Sequence, residues 1–172
     1  MTHSSVLPLL LLLGTCSAYT YRKPENVALR GKASQSGRYP DHYGDADKAI
    51  DGSRESNYLA GSCTGWQTNP WWRVDLLESY IITSIIITNR GDCCAERLNG
   101  AEVHIGNSLQ DNGAANPVAA VIPHIPVGRS LKVTFTGLVE GHFVTVVLLG
   151  LKRILTLCEV EVYGFRAPTG ES

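Results

Sequence analysis

The sequence predicts an all-β fold, a sandwich or barrel of short strands. Two observations carry that expectation. Runs of β-branched and aromatic residues recur at Trp72–Leu76, Tyr80–Thr88, Glu102–Ile105, Leu131–Thr136, Phe143–Leu149 and Thr156–Tyr163. Turn formers separate them, at Asn69-Pro70, Asn89–Gly91, Asn99-Gly100, Asp111–Gly113 and Gly128. Many short strands punctuated in this way read as a sandwich or barrel, and little helix is expected.

The chain opens with a targeting segment. Val6 to Leu13 is apolar apart from Pro8, and Cys16-Ser17-Ala18 is a small-residue end suited to a signal peptidase. The run is too short to span a membrane, so residues 1–18 are read as a signal peptide and the mature protein as secreted. No other apolar stretch is long enough to span, and no membrane insertion is expected. Residues 19–25 and 165–172 read as tails around one domain, 26–164, large enough to bury a real core.

Once Cys16 leaves with the signal, Cys63, Cys93, Cys94 and Cys158 remain. An even number in an oxidising compartment favours two disulfides. Zinc is disfavoured because no two-residue thiolate spacing occurs. Net charge is -1 with no basic block, which excludes nucleic acid as an expected partner. No Gly-x-Ser-x-Gly elbow, phosphate loop or zinc motif is present, so no enzyme is expected.

The segment from Arg38 to Ala60 has few β-formers and many oxygen donors, including Asp41, Asp45, Asp47, Asp51, Ser53 and Asn57. Hard cations such as calcium take such ligands. No EF-hand spacing occurs, and composition alone reads as an acidic solvated loop.

Arg90-Gly91-Asp92-Cys93-Cys94-Ala95-Glu96-Arg97 carries the most chemistry. Neighbouring Cα atoms sit about 3.8 Å apart across a trans peptide, closer than most disulfides prefer. A Cys93–Cys94 bond would close a small, stiff, sulfur-lined ring with an apolar face. Arg90 and Arg97 would flank it with donors that never lose their charge. Such a plate suits a sugar, which has one apolar face and a rim of hydroxyls. Adjacency alone leaves pairing with the other cysteines equally open. Arg90-Gly91-Asp92 also spells an integrin-type tripeptide, which occurs often by chance.

Taken in order, several segments resemble the F-type lectins, the fucolectin family. They are Asn26–Ala28, Ala49–Gly52, Gly61–Thr64, Asn69–Leu76, Thr88–Cys94 with Glu96-Arg97, and Leu157–Tyr163. The resemblance implies a jelly-roll β-sandwich of the discoidin or galactose-binding-like type, with a shallow fucose site in loops at one end. It implies the Cys93–Cys94 bond beside the sugar's methyl group. It also implies a Cys63–Cys158 bridge, worth roughly 4–5 kcal/mol on the chain-entropy model. A calcium ion is implied, held by Lys48 and Ser53 backbone oxygens, the Asp51 carboxylate, Ser62, the Cys158 carbonyl and Glu159.

At the sugar site Arg90 and Arg97 match the family's two arginines, and Asp92 matches the acid that orients a guanidinium. The family's third polar residue, a His after the Ser-Cys-Thr segment, is replaced by Gly65. Losing one such hydrogen bond would cost about 1–3 kcal/mol. Trp66 could stack on the sugar, or pack with Trp71 and Trp72, which read as core and sheet residues. His42 lies near the place where the family presents another His to the fucose methyl. His104, His124 and His142 read as structural.

The resemblance therefore implies a calcium-containing lectin for terminal L-fucose, binding fucosylated glycans in innate immune recognition or agglutination and forming a homo-oligomer, a trimer in the family. The alternative is a degenerate member that keeps the fold and calcium without fucose binding and serves as a protein-interaction module.

Overall fold

The computed structural model describes residues 23–38, 43–63 and 67–168, except for the side chains of Ser62 and Cys63. Residues 1–18, read above as a signal peptide, and His42 and Trp66 lie outside the described residues.

The strands are β1 (Glu25–Asn26), β2 (Lys32–Gln35), β3 (Ser62–Cys63), β4 (Trp71–Thr88), β5 (Glu102–Gly106), β6 (Val118–Val121), β7 (Ser130–Thr134), β8 (Glu140–Val147), β9 (Thr156–Leu157) and β10 (Glu159–Arg166). Every pairing is antiparallel. The helical segments among the described residues are short 3-10 turns.

β4 organises the sandwich because it serves two layers. Its first part, Trp72 to Asp75, lies between β2 and β8. Its second part, Ser84 to Thr88, lies between β7 and β10. A strand has only two edges, so the halves belong to different layers. One runs β2-β4-β8-β5-β6 and the other β1-β10-β4-β7. The crossing is an irregularity between Asp75 and Tyr80, where Leu77 takes φ 67° and its N–H donates to the Asp75 carboxylate at 2.7 Å. The sequence expected two strands here, ending at Leu76 and starting at Tyr80; they are one chain element with a bend.

Alternation along β4 sends Trp72, Val74, Leu76, Ile82, Ile85 and Ile87 inward, where they join Val103, Ile105, Val144, Val146, Val160 and Val162 in one core. Each fully buried aliphatic side chain contributes about 1.5–3 kcal/mol of transfer free energy. Trp72 is completely buried and its indole N–H donates to the Ala46 carbonyl at 3.0 Å, which satisfies its polar atom.

Three expectations about boundaries change. β8 starts at Glu140 and ends at Val147, shifted from Phe143–Leu149, because Glu140 and Gly141 pair with Ile81 and Tyr80. The final strand continues to Arg166, paired with Tyr80, so Phe165 and Arg166 belong to the sheet rather than a tail. At the other end Glu25 pairs with Gly164 and is likewise part of the sandwich.

The pairing gathers the loops that follow β4, precede β5 and β7, and follow β8. Gly91 N–H donates to the Ser56 carbonyl at 2.7 Å, Gly128 N–H to Arg90 at 3.1 Å, and Gln67 and Arg153 exchange bonds of 3.0 and 2.9 Å. These contacts bring residues 53–63, 67–69, 89–101, 122–130 and 148–158 together at one end.

Candidate functional site

Asn89 anchors the site loop from inside. It is fully buried, and its amide donates to the carbonyls of Ala95 at 3.0 Å and Ile125 at 2.7 Å. Its side-chain oxygen accepts the Arg90 N–H at 2.8 Å. One short polar side chain thus satisfies three loop backbone groups and closes the turn that presents the next residues.

Cys93 and Cys94 are bonded to each other across a trans peptide, with Cα atoms 3.8 Å apart. This settles the pairing that adjacency left open. Cys94 adopts the left-handed conformation, φ 60° and ψ 36°, and starts the 3-10 turn Ala95–Leu98. That turn places Arg97 beyond the disulfide, with Ala95 and Leu98 buried beneath.

The two arginines play different parts. Arg90, whose side chain is 12% exposed, forks onto Asp92 with Nε–Oδ1 at 2.9 Å and Nη2–Oδ2 at 2.6 Å. Its guanidinium also lies over the Tyr58 ring, 4.4 Å from the centroid. Asp92 Oδ1 further accepts the Tyr58 N–H at 2.9 Å. The Arg90 bonds hold the Asp92 carboxyl below the usual carboxylate range, overcoming the opposing effect of burial. The tripeptide Arg90-Gly91-Asp92 is consequently closed on itself, with the acid gripped by its own arginine, which is the wrong geometry for an integrin-type loop. Arg97, by contrast, makes no side-chain hydrogen bond or ion pair among the described residues. It lines a shallow concavity with Lys152, Arg153 and Ile154.

The calcium expectation meets a specific observation. Glu159 is fully buried on β10, and its Oε1 accepts the Gly52 N–H at 3.0 Å while Oε2 has no hydrogen-bond partner. Burial, helped by the neighbouring Asp51 charge and opposed by the Gly52 bond, pushes its pKa up to about 8. A buried carboxylate with an orphaned oxygen, within range of the Asp51 charge, is a donor that a divalent cation would complete. No three His, Cys, Asp or Glu side chains cluster among the described residues. A metal here would therefore draw on backbone oxygens, as the expected Lys48, Ser53 and Cys158 carbonyls require. The Lys48 ammonium points elsewhere, donating to the Leu59 carbonyl at 2.6 Å. Asp51 Oδ1 accepts the Ser53 N–H at 2.8 Å and so shapes the Asp51–Ser53 turn. The Ser62 side chain is outside the described residues.

The same loop is fastened by a pair the sequence did not reveal. Arg54 forks onto Glu161, whose side chain is 7% exposed, and the Tyr163 hydroxyl donates to Glu161 Oε2 at 2.7 Å. Burial pushes the Glu161 carboxyl up, but the Arg54 and Tyr163 bonds outweigh it and hold it low. Tyr58 was missed as well; nothing in its sequence surroundings marks it as a partner for Arg90. Cys158 is buried. Ser62 and Cys63 pair with Leu157 and Thr156, which sets the Cys63 backbone beside the segment leading into Cys158. The Cys63 side chain lies outside the described residues. Trp71 is half-buried under the Arg73 guanidinium, 5.2 Å from its ring, in keeping with a sheet-packing role. His104 is buried and bonded to the Asn116 carbonyl at 2.8 Å, and His142 sits 2.8 Å from Asp75; both are structural.

A family model described as a NedA-like, galactose-binding domain matches residues 48–146. Fucolectin-4 of Anguilla japonica is 50% identical over 142 residues, covering 80% of this chain and 79% of the relative. This chain belongs to the fucolectin, or F-type lectin, family. An F-lectin (fucolectin) from the serum of the striped bass Morone saxatilis superimposes with a TM-score of 0.86 at 63% identity. It covers 87% of this chain, which spans 52%, about half, of the bass chain. The lectin domain of lectinolysin, solved with Lewis B antigen, is 32% identical with a TM-score of 0.69, over 84% of this chain and 98% of its own. The all-β, galactose-binding-like sandwich is therefore the family's fold, and the relatives of this F-type lectin are carbohydrate-binding proteins rather than enzymes.

Proposed function

We propose that this F-type lectin is a secreted, calcium-containing protein that recognises terminal L-fucose on glycans, in innate immune recognition or agglutination. The observation that carries the reading is the Cys93–Cys94 disulfide flanked by Arg90 and Arg97. Relatives bearing the name fucolectin add to it. The disulfide offers an apolar plate against which the sugar's methyl group packs. Arg97 supplies guanidinium donors that no described residue takes up. Arg90 presents its edge in one orientation, because Asp92 and Tyr58 hold it. Fucose hydroxyls accept from both arginines, and charged donors in a partly dry site give bonds of about 1.5–3 kcal/mol each.

The residues that would hold calcium are Asp51 and Glu159 by carboxylate, Lys48, Ser53 and Cys158 by carbonyl, and Ser62. A bound calcium would supply the positive charge that two adjoining carboxylates call for, tying the Asp51–Ser53 turn to β10. Its role is structural, beneath the sugar site. One shallow site binds weakly, so several copies on one particle, as in a trimer, provide the avidity a recognition protein needs.

A second reading has one observation in its favour. Gly65 stands where the family carries a histidine, and a domain that lost sugar binding would keep the fold as a protein-interaction module. Isothermal titration with L-fucose, with calcium and with chelator, separates the two. Saturable binding supports the lectin. No heat, and no binding to a multivalent fucose display, overturns it.

A further inference from the structure

The concavity beside Arg97 has a charge character that a neutral monosaccharide does not require. It encloses about 260 Å³ and is lined by Glu96, Arg97, Lys152, Arg153 and Ile154. Three of these are cations and one is an acid, on a chain whose net charge is -1. Neither Arg97 nor Lys152 makes a side-chain hydrogen bond or ion pair among the described residues. Arg153 is partly engaged, through Nη1 and the Leu149 carbonyl at 3.4 Å.

The loop that carries these cations is held in place. Leu148 N–H donates to Pro70 at 2.9 Å, and Arg153 and Gln67 exchange bonds of 2.9 and 3.0 Å. Asn69 N–H donates to the Gly150 carbonyl at 3.0 Å, and Gly150 N–H returns a 2.8 Å bond to Asn69 Oδ1. Gly150 at φ 123° and Lys152 at φ 50° both occupy the left-handed region, which is routine for glycine and uncommon for lysine. The backbone of Lys152 is thus set by its neighbours, and Ile154, 5% exposed, closes the floor.

The geometry points to an acidic glycan as the ligand: the concavity takes an oxyanion substituent, a sulfate ester or a carboxylate, on the sugar adjoining the fucose. This rests on the fucose reading above. Arg97 belongs to both walls, and its five N–H donors allow it to serve a fucose hydroxyl and the neighbouring oxyanion together. Cations lining one concavity without enough acceptors favour an anion, and guanidinium matches sulfate or carboxylate oxygens in geometry as well as charge. Glu96 opposes this and limits the gain.

The test uses the full chain and titration with three matched fucosylated trisaccharides: one neutral, one bearing a sulfate ester on the middle sugar, one bearing a sialic acid. At low salt at least one acidic ligand is expected to bind about three- to tenfold tighter than the neutral one, the range for one or two partly exposed charge pairs. Which arm shows the gain identifies the source of the oxyanion. Raising the salt to 1 M should shrink the gain toward unity. Lys152→Ala should reduce the ratio of acidic to neutral affinity and Lys152→Glu should remove it, both leaving the neutral ligand within about twofold, while Glu96→Gln should raise the ratio. Equal affinity for all three ligands, or a ratio unchanged in Lys152→Glu, overturns the acidic subsite alone. Failure of all three to bind overturns the fucose reading and this one with it.

Discussion

Asn and Ala in place of Asp92 separate the charge of the sugar site from its architecture. The Asp92 carboxylate accepts three bonds, from Arg90 Nε at 2.9 Å, Arg90 Nη2 at 2.6 Å and the Tyr58 N–H at 2.9 Å. The Arg90 side chain is 12% exposed and that of Asp92 35%, so solvent screens the pair only in part. Between a surface ion pair and a buried charged bond, that places the Arg90 contribution at about 1–2 kcal/mol, with roughly 1 more for the Tyr58 amide. Asp92→Ala should then destabilise the domain by about 2–3 kcal/mol and lower Tm by about 5–10 °C, still leaving it folded. Asp92→Asn keeps one oxygen for the Tyr58 N–H and Arg90 Nε but replaces the acceptor of Arg90 Nη2 by an NH2 donor, and should lose about 1 kcal/mol, or 2–4 °C. Fucose affinity should fall in the same order, Ala more than Asn, because Arg90 loses its fixed orientation. The pH dependence has a definite sign. Arg90 depresses the folded-state pKa of Asp92, so the ion pair contributes fully above the unfolded carboxylate value and is lost as pH falls through the lower folded one. Wild-type minus Asn differences in Tm should stay constant from pH 7 to about pH 5 and close only in the acid range below the ordinary Asp value. Thermal melts and fucose titration of the three proteins supply the check. An Ala variant with wild-type Tm and wild-type affinity would refute the claim that Asp92 organises the site.

Arg97→Ala should weaken fucose binding at least about tenfold while moving Tm by less than about 2 °C, since its guanidinium supports nothing else described; a large loss of Tm counts against it. Non-reducing peptide mapping should recover Cys93 and Cys94 joined in one peptide, and selective reduction should abolish fucose binding; either cysteine found linked to Cys63 or Cys158 contradicts the site. Calcium should raise Tm with the logarithm of its concentration once that exceeds Kd, and Glu159→Gln should remove that gain; identical melting in calcium and in chelator tells against the ion.

What the sequence revealed was mostly local. The disulfide and its flanking arginines sit within eight consecutive positions, Arg90 to Arg97, so their chemistry could be read directly. Tyr80–Thr88 was legible from its apolar β-branched run, and Glu159–Tyr163 from alternation. β2 and β6 escaped notice because Lys32–Gln35 and Val118–Val121 are short, half-exposed edge strands whose residues carry no clear period. The union of two strands into β4 was hidden because it turns on Leu77, a residue type with no preference for φ 67°. Partners distant in sequence were equally hidden. Tyr58 and Asp92 are 34 positions apart, and Arg54 and Glu161 are 107 apart. Only the fold brings them into contact, and no pattern at either position announces the other.

On the proposed reading, these distant partners would let a shallow site select a sugar at all. A small ligand yields little binding energy, so any donor that must be ordered on binding spends much of it. Here most of the ordering is complete beforehand. Asn89 ties three backbone groups of the loop, the disulfide removes the torsional freedom of two side chains, and Asp92 with Tyr58 fixes Arg90. Arg97 is the one site arginine left uncommitted among the described residues, and it stands on a 3-10 turn whose Ala95 and Leu98 are packed into the domain. The entropic cost left for the sugar is then chiefly that of the Arg97 side chain, at most about 2 kcal/mol. Selectivity follows from the same division of labour. On the proposed reading, a rigid plate with one adjustable donor would discriminate by shape at the methyl group and tolerate variation at the hydroxyls that Arg97 follows. Any sugar lacking the methyl group should therefore lose more affinity than one altered at a hydroxyl on the Arg97 side.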